Sequence, residues 1–390
     1  MTPMRIVMFY HSLVSDWNHG NAHFLRGVVT ELIARGHDVR VYEPADGWSL
    51  RNLIADHGPE ALATFHHAYR HLASIRYRLD ALDLDDALAG ADLVIVHEWN
   101  EPELVARLGA HRRARGRYRL LFHDTHHRMV SAPRQMRDYD LAGYDGVLAF
   151  GDVIRDAYLA RGMAAAAWTW HEAADTRVFR PHDRHDAGPR QAQLVWVGNY
   201  GDGERADEID EFLIDPVRRL GLSATIYGVR WPAEPRRTLA HAGIAYGGYL
   251  PNPAVPQGFA RHAITVHIPR RYYARQLPGI PTIRPFEAMA CGIPLICAPW
   301  RDTEGLFREH RDYLLARDGV EMTRCLRRLL DDRDAARSMA RDALHTIRQR
   351  HTCAHRVNEL MEICQQMGMG VPARDRVRRR PLVIARGDEL

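Results

Sequence analysis

Short apolar runs alternate with helix-length amphipathic segments along almost all of this 390-residue chain, and that rhythm constrains the fold most. A strand that is apolar on both faces needs cover on both faces, and helices in the connections supply it. Apolar runs at residues 5–10, 38–42, 92–96, 118–122 and 146–150 alternate with helical patterns at 21–35, 102–115 and 152–161. Residues 59–88 read as one long helical region. Gly36 and Gly162 stand where helices end, the position that tolerates a left-handed backbone. From Phe179 to Gln193 the composition turns polar, with two prolines and a glycine. The pattern then restarts with runs at 194–197, 224–227, 264–268 and 295–298, with a helix over 206–220. The expectation is two similar α/β halves: residues 1–180, a linker over 181–193, and residues 194–350. A last helix within 351–370 crosses back to the first half, and 371–390 forms a basic tail. Ligands in such sheets bind beyond the carboxyl ends of the strands, so the strand-end loops hold the candidates.

Composition removes several chemistries. No lysine occurs, so all 53 basic side chains are arginine. A phosphate-loop lysine and a Schiff-base lysine are both excluded. Arginine must neutralise any anion, and it does so bidentately. The net charge of +4 does not call for nucleic acid. Five cysteines, all after residue 290 and without a CxxC pair, read as buried thiols. The start has no signal-peptide anatomy and no run of 18 apolar residues exists, so a cytoplasmic location is expected.

In the first half, the loop after the first strand carries Asp16, His19 and His23 around Gly20. His19, oriented by Asp16, could take a proton from a hydroxyl; the alternative is a loop that only caps the following helix. The sequence HDTHHR at 123–128 gathers His123, Asp124, His126 and His127. A zinc site lacks a second half at a recognisable spacing, so His123 is read as a cleft residue, with His97 and Glu98 facing the same space. Asp138 and Asp140 match DxD by composition only, on an expected helix.

In the second half, Gly198, Gly201 and Gly203 follow a strand in the order GxxGxG, not the dinucleotide order. Gly198 and Asn199 suit close backbone approach to a diphosphate. Arg230 and Trp231 end another strand, with the ring placed to sit by a base. Arg270 and Arg271 end a third, where paired arginines suit a departing diphosphate or form a solvated basic loop. The stretch PTIRPFEAMACGIPLICAP at 281–299 reads as a loop, a helix beginning near Arg284, a stop at Gly292 and a buried strand. Free N–H groups at that helix start bind phosphate without a lysine. Glu287, three residues in, lies where a nucleotide ribose would.

The stretch 281–292 resembles the donor-site signature of group-1 glycosyltransferases of the GT-B architecture, most closely the spore-maturation CgeB-like branch. AADTRVFRP at 173–181 resembles that family's inter-domain segment, and HTCAHR at 351–356 its final crossing helix. The resemblance implies two Rossmann-like domains facing a cleft and transfer of a sugar from a UDP-, GDP- or dTDP-linked donor to an acceptor hydroxyl. It implies no metal and no other cofactor. Glu287 would bind ribose, Thr282, Ile283 and Arg284 would meet the diphosphate, and Gly198 and Asn199 would line the donor loop. His123 would lie near the transferred sugar, and His19 would be a base. One departure stands out: retaining relatives carry a second glutamate eight positions before the first, and here that position is Gly279. A nucleotide-sugar epimerase of the same fold, or a binding protein without turnover, remains open on these grounds.

Overall fold

The computed structural model describes residues 2–182, 188, 191–201 and 203–369. Among these, the first half forms a seven-stranded sheet: β1 (Arg5–Phe9), β2 (Asp38–Pro44), β3 (Ile75–Tyr77), β4 (Leu93–His97), β5 (Arg119–Asp124), β6 (Gly146–Ala149) and β7 (Ala167–Thr169). The second forms a six-stranded sheet: β8 (Leu194–Val197), β9 (Ala224–Tyr227), β10 (Ile244–Tyr246), β11 (Ile264–His267), β12 (Leu295–Cys297) and β13 (Leu314–Leu315). The orders are β3-β2-β1-β4-β5-β6-β7 and β10-β9-β8-β11-β12-β13. All neighbouring strands run parallel. Both sheets therefore reverse direction of winding at one place, between β1 and β4 and between β8 and β11. A crevice opens there beyond the strand ends.

Alternation along the central strands shows why helices cover both faces. Ile6 and Met8 of β1 pack into one apolar cluster, while Val7 and Phe9 pack into another. In β8, Val195 and Val197 face the first of these clusters and Leu194 and Trp196 face a third. The first cluster is continuous between the halves: it runs from β1 through Trp170 and Phe179 to Phe286 and Leu360.

The sequence-based elements differ from the structure at the sheet edges. β3, β7, β10 and β13 were not expected, and they are the outer strands of the two sheets. The supposed helix over 59–88 is broken into helix Leu62–Ala68, two 3₁₀ turns, β3 and helix Leu84–Ala87. The 206–220 helix contains a π segment, Asp210–Ile214, ahead of Pro216, which cannot donate to the carbonyl four residues back. Most of the linker span and the tail at 371–390 fall outside the described residues.

Helix Cys353–Gln366 does cross back. Thr352 caps it in a reciprocal box with His355. It packs on helix Ala22–Ala34, where Gly27 allows the approach: a Cβ there would lie 2.4 Å from the Cys353 sulfur. Trp170 Nε1 donates to the Arg356 carbonyl at 2.8 Å, and Arg35 reaches Asn358 at 2.7 Å. Trp170 is thus both a buried ring against Phe24 and His123 and a hydrogen-bonded tie. Trp170→Ala is expected to cost about 3–5 kcal/mol, read from the urea unfolding midpoint.

Candidate functional site

A cleft of about 930 Å³ lies between the carboxyl ends of the two sheets and is lined by both. This size suits a drug-sized or nucleotide-sized ligand. Its second-domain wall contains Gly198 and Asn199 after β8, Arg230 after β9, Arg270 after β11, and residues 282–284 at the start of helix Ile283–Ala290. Gly198 and Asn199 are pinned from behind. Trp231 Nε1 donates to the Gly198 carbonyl at 3.1 Å, and Asn199 Oδ1 accepts from Val229 N–H at 2.8 Å. The Asn199 amide also donates to Asn18 Oδ1, 2.6 Å away on the opposite wall.

Backbone strain concentrates at this cleft. The described non-glycine residues with positive φ are Asn18 (47°), Arg230 (59°), Thr282 (61°) and His310 (68°), and the first three line it. Such conformations cost on the order of 1–3 kcal/mol each and persist where the surroundings enforce them, often at ligand sites.

The second-domain wall is cationic. Arg205, Arg230, Arg270 and Arg284 all line it. Arg205 is partly buried, donates to the carbonyls of Ile268 and Asn199, and has an unpartnered, buried Nε. Burial, followed by the nearby Arg270, pushes its guanidinium down to about 9. Losing water beside like charges is unfavourable, and a bound polyanion removes that penalty. His267 at the end of β11 is buried among the same groups and is pushed down to about 3, first by burial and then by Arg205 and Arg284.

The first-domain wall is mainly imidazole and aromatic, with a cation, Arg128, paired to the buried Glu98. It carries His11, His19, His126, His127 and the half-exposed rings of Trp48 and Trp99. Burial pushes His11 and His127 down to about 4, and holds His19 and His126 well below the ordinary imidazole value. His19 Nε2 has no partner. The two walls touch where His127 stacks on Tyr272, with ring centroids 4.6 Å apart.

Several residues lie elsewhere than expected. Asp16 does not orient His19 with its side chain. Its carboxylate is taken by Arg26 at 2.7 Å and by the Tyr249 hydroxyl of the second domain. His23 is sealed inside the inter-domain joint, not in the cleft. His123 is buried beneath the wall against Phe24, His97 and Trp170, with neither ring nitrogen bonded. His97 is buried beside it and bonds Thr125, while Glu98 pairs with Arg128. Asp124 accepts from the Tyr158 hydroxyl and the His126 N–H. Glu287 is 0% exposed: its oxygens meet His23 Nδ1, at 3.0 Å, and Arg284. It therefore supports Arg284 from behind instead of presenting an oxygen to the cleft. Arg271 turns away, bonding Glu208 and Asp207 on the preceding helix. Trp231 packs against Trp196 and Tyr246 within the domain core. Asp138 and Asp140 lie in a turn after helix Pro133–Met136, and Asp140 accepts from Ala142 N–H.

Among the cleft residues that were not singled out in the sequence, two carry charge that bears on the site, Arg205 and Glu172. Arg205 follows the GxxGxG loop at a helix start, a signal that the loop alone carried. Glu172 ends the segment after β7 and had no motif to mark it. Among the described residues, no group of three or more His, Cys, Asp or Glu is arranged to hold a metal, and no helix is long and apolar enough to cross a membrane.

A family described as glycosyl transferase-like matches residues 205–362. No curated protein sequence matches the chain. Among solved structures, sucrose-phosphate synthase from Thermosynechococcus elongatus is similar, with 15% identity over 94% of this chain and 100% of its own and a TM-score of 0.65. HepE of Anabaena, solved in complex with UDP-glucose, has 15% identity over 93% of this chain and 100% of its own, with a TM-score of 0.67. A glycosyltransferase from Rickettsia africae has 11% identity over 95% and 100%, with a TM-score of 0.66. These likenesses show the fold, two parallel-sheet α/β domains of the GT-B type.

The buried imidazoles set a pH dependence. Burial pushes His123 to about 3, so it is neutral when folded and gains a proton only on unfolding. The unfolded state then binds more protons between about pH 6.5 and 3, and stability falls as pH drops through that window, by about 1.4 kcal/mol per unit for each such group. Glu98 and Glu172 act oppositely. Burial raises both to about 8, so they cost stability as pH rises from about 4.5 to 8. The histidines outnumber them, so thermal melts should show a maximum near pH 6.5 and a steep acid limb. His123→Leu should make that limb shallower.

Proposed function

We propose that the protein is a glycosyltransferase taking a sugar from a nucleoside-diphosphate donor, UDP-, GDP- or dTDP-linked, and passing it to an acceptor hydroxyl without a metal. The observation that carries this reading is the cluster of partly buried arginines around the start of helix Ile283–Ala290. Partly buried guanidinium groups and free helix N–H groups converging on one space suit a diphosphate. HepE of Anabaena was solved with UDP-glucose, which suggests the same donor class here. The match over 205–362 covers the four arginines of this wall. Affinity with the CgeB-like branch and a cytoplasmic location belong to the same reading.

In this account the diphosphate sits against Arg205, Arg270 and Arg284, with residues 282–284 offering backbone N–H groups. Arg230 and the 198–199 loop flank the nucleotide. The sugar then lies across the cleft, facing the first-domain wall. As its bond to the diphosphate breaks, the arginines stabilise the growing charge. The acceptor rests against Trp48, Trp99 and His11. His19 accepts a hydrogen bond from its hydroxyl. Burial leaves that imidazole weakly basic and Asp16 is committed elsewhere, so the hydroxyl proton passes to the departing phosphate oxygen. Glu287 and His123 act indirectly, by supporting Arg284 and the histidine wall.

Titration calorimetry with UDP, GDP and dTDP, and with UDP-glucose, GDP-mannose and dTDP-glucose, tests the reading. The preferred nucleotide should lose about 1.5–3 kcal/mol of binding free energy in Arg205→Ala and in Arg284→Ala. Arg271→Ala should bind like wild type. No binding of any nucleotide, or an equal loss in Arg271→Ala, would sink the arginine-site reading. Conversion of a donor to its epimer without acceptor would instead favour an isomerase.

A further inference from the structure

We propose that Glu172 binds the sugar of the donor as an uncharged carboxylic acid, so that donor binding is coupled to retention of one proton at this side chain. The inference rests on the donor reading above and deepens it.

Glu172 lines the cleft yet is only 5% exposed. Its backbone carbonyl accepts from Arg356, but its carboxyl group has no hydrogen-bond or ion-pair partner among the described residues. A nearly buried carboxyl that opens on a cleft and bonds nothing awaits a ligand group. The surrounding acids are all spoken for. Glu287 is used by His23 and Arg284. Glu304 accepts from Asp152 N–H at 3.0 Å and pairs with His171 at 2.9 Å. Gly279 cannot supply a side chain: its φ is +88°, and a Cβ there would lie 2.2 Å from a Glu304 oxygen. Glu172 is thus the carboxyl left for the ligand near the helix start.

The charged and titratable groups packed around it set its state. Burial and then Glu287 raise it, and Arg284 lowers it, with a result of about 8. Tyr273 faces it from helix Arg271–Gln276 and Arg356 from the crossing helix, and His171, next to it in sequence, pairs with Glu304 of the second domain. A diphosphate placed on Arg284 adds negative charge next to Glu172 and offsets the one cation holding it down. Both effects favour the protonated form. A neutral carboxyl can donate to one sugar hydroxyl and accept from another, whereas a carboxylate would repel the diphosphate.

The test is calorimetry on the full protein with the nucleotide sugar that binds best among UDP-glucose, GDP-mannose and dTDP-glucose, and with its parent nucleotide. In wild type the sugar nucleotide should bind about tenfold more weakly at pH 9 than at pH 7, as the protonated fraction falls across a group near 8. Buffers of different ionisation enthalpy should show proton uptake at pH 8. Glu172→Gln keeps a donor and an acceptor, so it should bind like wild type at pH 7, with no proton uptake and a flat profile to pH 9. Glu172→Ala should bind the parent nucleotide normally and lose preference for the sugar form. Wild-type pH dependence persisting in Glu172→Gln, or unchanged sugar preference in Glu172→Ala, would overturn this inference alone. No binding by wild type would overturn the donor reading and the inference with it.

Discussion

The structure turns on the ring of His23. Its Nε2 accepts from Asp175 N–H at 2.8 Å, which places the ring hydrogen on Nδ1, directed at Glu287 at 3.0 Å. Its face stacks on Phe179 at 3.8 Å. One side chain on a first-domain helix therefore holds the connecting segment with one nitrogen and the second domain with the other. All partners are buried, so little water competes. Glu287 is fixed by this bond and in turn holds Arg284 at the cleft. The domain geometry and the position of one cleft guanidinium are thus set by the same contact. A carboxylate that at first sight belongs to the cleft is instead structural, and the cation it supports is what reaches the cleft wall.

Much of the architecture was legible because central strands must be apolar on both faces. β1, β4, β5, β6, β8, β9, β11 and β12 all appear as apolar runs in the sequence. The four outer strands did not, and the reason is physical. β3, β7 and β10 have three residues and β13 has two, and none needs cover on both faces. Ile-Arg-Tyr at 75–77 is two-thirds exposed by residue, so it leaves no hydrophobic trace. Short edges also present few unpaired N–H and C=O groups to other chains. The property that hides them in the sequence is the one that protects the sheet.

The site was legible in its backbone and less so in its side chains. The helix start at 282–284 could be located because Gly292 and the following apolar run fix where the helix ends. Whether Glu287 faced the cleft depended on His23, 264 positions away, and no local pattern carries that. Adjacent arginines at 270 and 271 looked equivalent; Arg271 found Glu208 and Asp207, whereas Arg270 stayed on the cleft wall. Arg205 became conspicuous only through its burial. Long-range partners, not residue type, decided each case.

The two walls differ in a way that follows from where each kind of group can be placed. On the second domain, helix starts and four arginines supply positive potential that Glu204, paired with Arg270, and Glu287, paired with Arg284, offset only in part. On the first, buried imidazoles are held neutral by the cost of charging them beside Arg26 and Arg128. A protonated histidine there would face the arginines across the cleft, and the two walls would repel. Keeping the first wall's imidazoles neutral avoids that repulsion where the walls meet. The hydrogen bond between Asn18 and Asn199 and the stacking of His127 on Tyr272 are contacts that such neutrality permits. Uncharged imidazoles opposite the arginines are therefore a condition for the two domains to meet along the cleft.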